Sequence, residues 1–197
     1  VRHKIKCFVF TSSIAVYGEG QLPMKEDLTP MPEDPYGISK YAVELDLKAA
    51  KEMFGLEHII FRPHNVYGEY QNIGDRYRNV IGIWMYQILN KKNPTIFGDG
   101  SQVRAFSYVD DSIIPFWNAS QNNNCIGEII NLGGTKEYSI GDACDILINV
   151  TGQNIKPVHL EPRHESKYAW ATWDKSIELL DFQHKIELEE GIAKMWE

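Results

Sequence analysis

The stretch from residue 5 to residue 63 constrains the fold more than any other part of the chain. Residues 5–10 are a short apolar run ending in Thr11-Ser12-Ser13, which reads as a buried parallel strand feeding a loop. Asp34-Pro35 reads as a helix start with proline in its first turn. That helix runs to about Phe54 and stops at Gly55, with Ile38, Tyr41, Ala42, Leu45 and Ala49 at helical spacing. Residues 58–61 form the next apolar strand, which ends at Arg62-Pro63. A strand, a long helix and a second strand make a βαβ unit of a parallel sheet. The fold class that follows is α/β. Between the first strand and the helix, residues 18–35 are rich in Pro, Glu and Asp and read as an exposed loop.

Further along, residues 80–89 read as a second helix. Residues 94–97, the turn Gly98-Asp99-Gly100 and residues 103–108 suggest strand, turn, strand. Asp110 or Asp111 opens a helix through Ala119, and both are expected as helix caps rather than acid/base groups. Residues 128–132 form a strand closed by Gly133-Gly134. Ser139 with Asp142 three residues on marks another helix start, ending near Gly152. A last helix covers residues 188–196.

The 197 residues suffice for one sizeable core or two small domains, and 43% hydrophobic with 24% charged residues is ordinary for a globular protein. A net charge of −7 argues against nucleic acid as a partner. No apolar run reaches the ~20 residues a membrane helix needs, and no secretory leader is read at the start. Cys7, Cys125 and Cys144 are odd in number and widely spaced, which fits neither a disulfide framework nor a zinc site and suits a reducing cytoplasm. No histidine pair has metal-site spacing, so no metal is expected. Arg62, Arg76, Arg78, Arg104 and Arg163 all follow residue 60. They are either scattered surface charges or the makings of an anion site, since the planar guanidinium pairs well with phosphate.

The chemistry concentrates in Tyr36-Gly37-Ile38-Ser39-Lys40. Residues four apart on a helix share a face, and a nearby ammonium favours a phenolate, which makes Tyr36 a candidate general base. Ser13 lies at the carboxyl end of the first strand, where open parallel sheets bind ligands. Its hydroxyl can donate to a substrate or accept from the tyrosine. His64 either touches substrate or packs as a satisfied polar residue; the motif supplies no second titrating partner for it.

These segments in order, Thr11-Ser12-Ser13-Ile14-Ala15-Val16-Tyr17-Gly18, Pro35-Tyr36-Gly37-Ile38-Ser39-Lys40 and Arg62-Pro63-His64-Asn65-Val66-Tyr67-Gly68, resemble the extended short-chain dehydrogenases of the NAD-dependent epimerase/dehydratase type. The resemblance continues through Gly98-Asp99-Gly100-Ser101-Gln102-Val103-Arg104, Tyr108-Val109-Asp110-Asp111 and Asn131-Leu132-Gly133. It implies bound NAD, a nucleotide-diphosphate sugar and a homodimer formed through helices that include the one bearing Tyr36. It makes Ser13, Tyr36 and Lys40 catalytic. Thr11, Ser12, Tyr36, Lys40 and Pro63 would face the cofactor, and Ser13, Asn65, Arg104 and Arg163 the substrate. Pro162-Arg163-His164-Glu165 is one residue shorter than the family's usual pattern, and Ala105 stands where an acidic residue is common.

The implied architecture is the C-terminal part of a Rossmann-like doubly wound sheet (residues 1–67) with a smaller nucleotide-sugar-binding α/β domain (residues 68–197), with some segments of the latter expected to return to the first sheet. The glycine-rich βαβ opening of such folds is absent. Gly18-Glu19-Gly20 has no third glycine and precedes a loop rather than a helix, so it reads as a turn. About 100 residues, three or four strand–helix units of ~30 each, would be missing. Related dehydratases carry acidic residues after the catalytic hydroxyl. Here Ile14 and Ala15 take those places and transfer no protons, which favours oxidation and reduction at one carbon, 4-epimerisation of a UDP-hexose or UDP-N-acetylhexosamine. A fragment without cofactor, and a dehydratase or reductase, are the alternatives. Ala169 lies near the position that gates sugar size, and a small residue there would admit an N-acetyl group.

Overall fold

The computed structural model describes every residue except Val1, Gln21, Arg76, Arg78 and His164. Two of the five arginines singled out above, Arg76 and Arg78, therefore lie outside the described residues. In chain order the elements are β1 (Phe8–Thr11), α1 (Pro35–Phe54), β2 (His58–Pro63), β3 (Val66–Tyr67), α2 (Val80–Leu89), β4 (Thr95–Phe97), β5 (Val103–Ala105) and β6 (Ser107–Tyr108). Then come α3 (Val109–Gln121), β7 (Ile129–Leu132), β8 (Glu137–Ser139), α4 (Ile140–Thr151), β9 (Val158–Leu160), β10 (Tyr168–Ala169), α5 (Asp174–Leu180) and α6 (Leu188–Trp196). A short 3-10 turn, Ile14–Tyr17, follows β1.

The opening βαβ unit forms as the sequence predicts. β1 and β2 pair in parallel, and β7 joins the far side of β2 in the order β1-β2-β7. The Asp34 carboxylate accepts from the Gly37 N–H at 2.5 Å and caps α1, while Gly55 ends it at φ 67°. Alternation along β2 divides the packing. Ile59 and Phe61 join Ile130, Leu132, Ala119 and Leu180 in one core under α3 and α5. Arg62, on the other face, meets α1. A second core gathers Trp84, Met85, Ile96, Phe106, Leu147 and Ile192 between α2, α4 and α6.

Three sequence expectations change in detail. The strands flanking Gly98-Asp99-Gly100 do not pair with each other: β4 pairs with β9, and β5 with β8 and β10. Asp110 and Asp111 lie inside the first turn of α3, whose preceding residue Tyr108 makes no side-chain cap. Asp111 instead accepts from the Lys185 and Ile186 N–H groups at 2.9 and 3.0 Å, so it caps a distant loop. Finally, the apolar positions Ile38 and Leu45 of α1 are exposed, and Gly37, Glu44 and Leu47 are its buried residues. No helix of the described residues is long and apolar enough to cross a membrane, and no three His, Cys, Asp or Glu residues among them gather as a metal site.

Candidate active site

The carboxyl end of β1 and the start of α1 are held together at close range. Ser13 caps the 3-10 turn by accepting from the Ala15 N–H at 3.2 Å. A Cβ on Gly37 would stand 2.5 Å from the Ala15 carbonyl oxygen. Only the missing side chain lets the first turn of α1, with Tyr36 on it, lie against the turn that carries Ser13. Gly37→Ala is therefore expected to cost about 1–3 kcal/mol by overpacking against backbone, read as a lower urea midpoint at unchanged slope.

Lys40 lies one turn beyond Tyr36. Its Nζ donates to the Thr11 carbonyl at 2.9 Å and stands 5.7 Å from the Tyr36 ring centroid and 5.2 Å from that of Phe10. Another turn on, Glu44 reaches into the interior. It accepts from the Ser12 hydroxyl at 2.5 Å and from Arg62 Nε and Nη2 at 3.0 and 2.6 Å. Arg62 also stacks 4.6 Å from the Tyr17 ring, and the Tyr17 hydroxyl donates to Asn131 Oδ1 at 2.7 Å. Burial, partly offset by Arg62, pushes the Tyr17 phenol up to about 12. It is a fixed donor, not a base.

Two adjoining clefts of about 490 and 710 Å³ open here, and Ser13, Asp34, Tyr36, Asn65, Arg104 and Arg163 line both. Their size suits a cofactor- or nucleotide-sized ligand. Thr11, Ser12, Lys40 and Pro63 line the larger cleft, and Ile14, Ala15 and Ala169 the smaller. The Ser12 hydroxyl is committed to Glu44. Asn65 sits at φ 32°, a conformation asparagine tolerates better than most residues, and donates to the Ala105 carbonyl at 2.8 Å. Arg104 is oriented by the Ser166 and Val103 carbonyls at 2.6 and 2.8 Å. Burial lowers its pKa, with Glu165 working the other way. Arg163 stacks over Phe97 at 4.4 Å and pairs with Glu165 at 3.2 Å. The shortened stretch around Arg163 thus still brings both arginines to one cleft. His164 lies outside the described residues.

The donor set fits a dinucleotide's nicotinamide ribose. Lys40 offers three N–H donors at the cleft, of which Thr11 takes one, beside the Tyr36 phenol and the Pro63 surface. Residues missed by the sequence reading are Gly37, Glu44 and Glu165. Glu44 had a signal: with Tyr36 and Lys40 it repeats every four residues along one helix face.

His64 is fully buried, and neither ring nitrogen has a hydrogen-bond partner among the described residues. Burial pushes its imidazole down to about 4. The unfolded imidazole titrates near ~6.5, so acid favours the unfolded chain. The loss begins as pH falls through ~6.5, grows until about 4, and totals about 3 kcal/mol. His64→Phe, which cannot titrate, is expected to lose less stability than the parent between pH 7 and pH 4.5 in urea titrations. Equal losses in the two proteins would refute this.

The fold and site define an α/β protein with serine, tyrosine and lysine at the carboxyl end of a parallel sheet. Residues 1–133 match the NAD dependent epimerase/dehydratase family, and the chain belongs to that family. It is 36% identical over 196 residues to a putative UDP-glucose 4-epimerase of Methanocaldococcus jannaschii, covering 98% of this chain and 63% of that protein. Among solved structures it is similar to the UDP-glucuronic acid 4-epimerase of Bacillus cereus, in complex with UDP-glucuronic acid and NAD, with TM-score 0.90 and 33% identity over 98% of this chain and 61% of that one. It is also similar to a UDP-N-acetylglucosamine 4-epimerase of Methanobrevibacter ruminantium in complex with UDP-N-acetylmuramic acid, with TM-score 0.91 and 30% identity over 99% and 64%. The chain thus spans somewhat under two thirds of the length of these relatives.

Proposed function

We propose that this chain carries the catalytic and substrate-binding residues of an NAD-dependent 4-epimerase acting on a UDP-hexose or UDP-N-acetylhexosamine. The observation that carries the reading is the convergence of Ser13, Tyr36, Asn65, Arg104 and Arg163 on one pair of clefts. Bound NAD supplies reversible oxidation at the sugar's C4. Tyr36 takes the 4-hydroxyl proton and returns it, and Ser13 hydrogen-bonds the same oxygen. Lys40 and Pro63 hold the nicotinamide end, with Thr11 and Ser12 beside them. Asn65 orients the sugar. Arg104 and Arg163 pair with the diphosphate, trading part of their contact with Glu165 for it. Ile14 and Ala15 offer no proton relay, which favours epimerisation over dehydration. Ala169 at the cleft supports entry of an N-acetyl group.

In this reading residues 1–67 belong to the cofactor-binding unit and residues 68–197 to the substrate-binding unit, with β7 returning to the first sheet. The protein works as a homodimer in the cytoplasm. The exposed stripe Ile38, Leu45 and Met53 on α1 supports a second copy packing there, and three free cysteines suit a reducing compartment. Leu45→Glu is expected to shift the protein toward monomer in sedimentation at matched concentration; an unchanged profile would sink that interface.

The functional test uses the 197-residue chain. Denatured protein is assayed for released NAD, and native protein for UDP and NAD binding and for interconversion of UDP-glucose with UDP-galactose and of their N-acetyl forms. Interconversion supports the proposal. A dehydrated or net-reduced product overturns epimerisation, and absence of both NAD and UDP binding overturns the assignment to this chain.

A further inference from the structure

Asn131 lies on β7 in register with Arg62 and is fully buried, yet the proposed function gives it no role. Its amide ties two segments together. Nδ2 donates to the Met24 carbonyl at 3.1 Å, and Oδ1 accepts from the Tyr17 hydroxyl at 2.7 Å. The Met24 carbonyl can only accept, so the orientation of the amide is fixed and Tyr17 must donate. The Asn131 N–H adds a third contact, to Glu26 Oε1 at 2.9 Å. Tyr17 ends the 3-10 turn that Ser13 caps. Met24 lines the smaller cleft. Its N–H donates to the Trp170 carbonyl at 3.1 Å, and its carbonyl also accepts from the Thr172 N–H at 2.9 Å. The residues just before Trp170 reach Arg104: the Ser166 carbonyl accepts from its guanidinium at 2.6 Å, and Ala169 stands opposite it where β10 pairs with β5. Ile14, Val16, Tyr17, Met24 and Ala171 pack as one apolar cluster.

One buried amide thus joins the turn that begins at Ser13 to the segment that orients Arg104. We infer that Asn131 is a positioning residue: it fixes the spacing between the Ser13 hydroxyl and the Arg104 guanidinium, and so the register in which a nucleotide sugar lies between them. The inference rests on the proposed function, in which Ser13 meets the sugar and Arg104 the diphosphate. Asn131 itself lines neither cleft, so it acts through Tyr17 and Met24. Without the amide, the buried Tyr17 hydroxyl loses its acceptor, and the turn must shift or leave it unpaired. A ligand that needs only the arginine end does not feel that shift. A ligand that must reach both ends does, and a misplacement of about 1 Å can cost ~10²-fold in rate.

The test is calorimetric titration of the 197-residue chain with UDP and with UDP-glucose, in the parent, in Ser13→Ala, in Asn131→Ala and in the double variant, under conditions where urea titration shows each to be folded. In the parent background Ser13→Ala should weaken UDP-glucose about fivefold, the net worth of one hydrogen bond, and leave UDP within twofold. Asn131→Ala should also leave UDP within twofold and weaken UDP-glucose at least threefold. Adding Ser13→Ala to Asn131→Ala should then cost less than a further twofold, because the sugar no longer meets Ser13. A purely structural role for Asn131 predicts no such loss of the Ser13 effect. Where Asn131→Ala is too unstable to titrate, Tyr17→Phe, which keeps the ring beside Arg62 and removes only the donor, must show the same loss. Unchanged UDP-glucose affinity, a parallel fall in UDP affinity, or a Ser13 effect of full size in the variant background overturns the inference and leaves the proposed function standing. Failure of UDP to bind the parent, or a parent indifferent to Ser13→Ala, overturns the proposed roles of the arginines or of Ser13, and this inference with them.

Discussion

Glu44→Ala is expected to lower stability by about 3–5 kcal/mol, the largest single loss argued from this structure. Glu44 is 5% exposed, Arg62 1% and Ser12 1%, so the two charges and the hydroxyl are out of water. The carboxylate answers Arg62 through two hydrogen bonds of 3.0 and 2.6 Å and also accepts a hydrogen bond from the Ser12 hydroxyl. Truncation leaves the guanidinium buried beside the Tyr17 ring with no counter-charge. Its Nη1 already lacks a partner among the described residues. The loss therefore comes chiefly from the orphaned charge rather than from the missing attraction. A double variant separates the two. Glu44→Leu with Arg62→Met removes both desolvated charges, so it should cost clearly less than Glu44→Ala despite removing more. Urea unfolding with an unchanged slope is the measurement. A Glu44→Ala loss below 1 kcal/mol would mean that the pair is solvated in solution.

That pair also marks what the sequence conceals. A glutamate in a helix of twenty residues ordinarily reads as solvated, and its partner Arg62 is eighteen residues away on the next strand. The apolar rhythm of Ile38, Leu45 and their neighbours identifies a helix correctly, yet that stripe is turned outward while Glu44 is turned in. Periodicity reports the helix but not which face meets the sheet, because a buried ion pair can stand where a leucine would. Local signals fared better. Asp34, Pro35 and Gly55 bound α1 as expected, and Ser139 with Asp142 opens α4, since caps are decided within one turn. Long-range pairings were not legible. β4 and β5 find partners beyond residue 136, and Asp111 finds its acceptor role at Lys185. The site was more legible than the sheets. Ser13, Tyr36 and Pro63 sit at a strand end or a helix start, which a parallel α/β fold gathers on one side, whereas Arg104 lies within β5 and Arg163 in the loop between β9 and β10.

Tyr36→Phe is expected to lower kcat for 4-epimer interconversion by about 10²–10⁴-fold, the usual worth of a positioned proton-transfer group. The ring stays, so the start of α1 and its packing on the Ala15 turn are kept. What goes is the hydroxyl that the proposed function assigns to taking and returning the sugar proton. In the proposed reading Arg104 and Arg163, which line the same clefts as Tyr36 and are untouched, hold the diphosphate, so UDP affinity should change less than threefold. A fall in kcat with steady UDP binding assigns Tyr36 to chemistry. A matching loss of UDP affinity would assign it to binding instead. Ser13→Ala offers the contrast. It removes a hydroxyl at the same cleft that also caps Ala15 at 3.2 Å, so it should reduce both kcat and stability, the latter by ~1 kcal/mol for the lost cap. If Tyr36→Phe retained most of its activity, proton transfer would have to pass through another group, and the Tyr17 phenol is already spent on Asn131. Near-parental turnover in Tyr36→Phe would therefore count against the whole catalytic assignment, not merely against one residue of it.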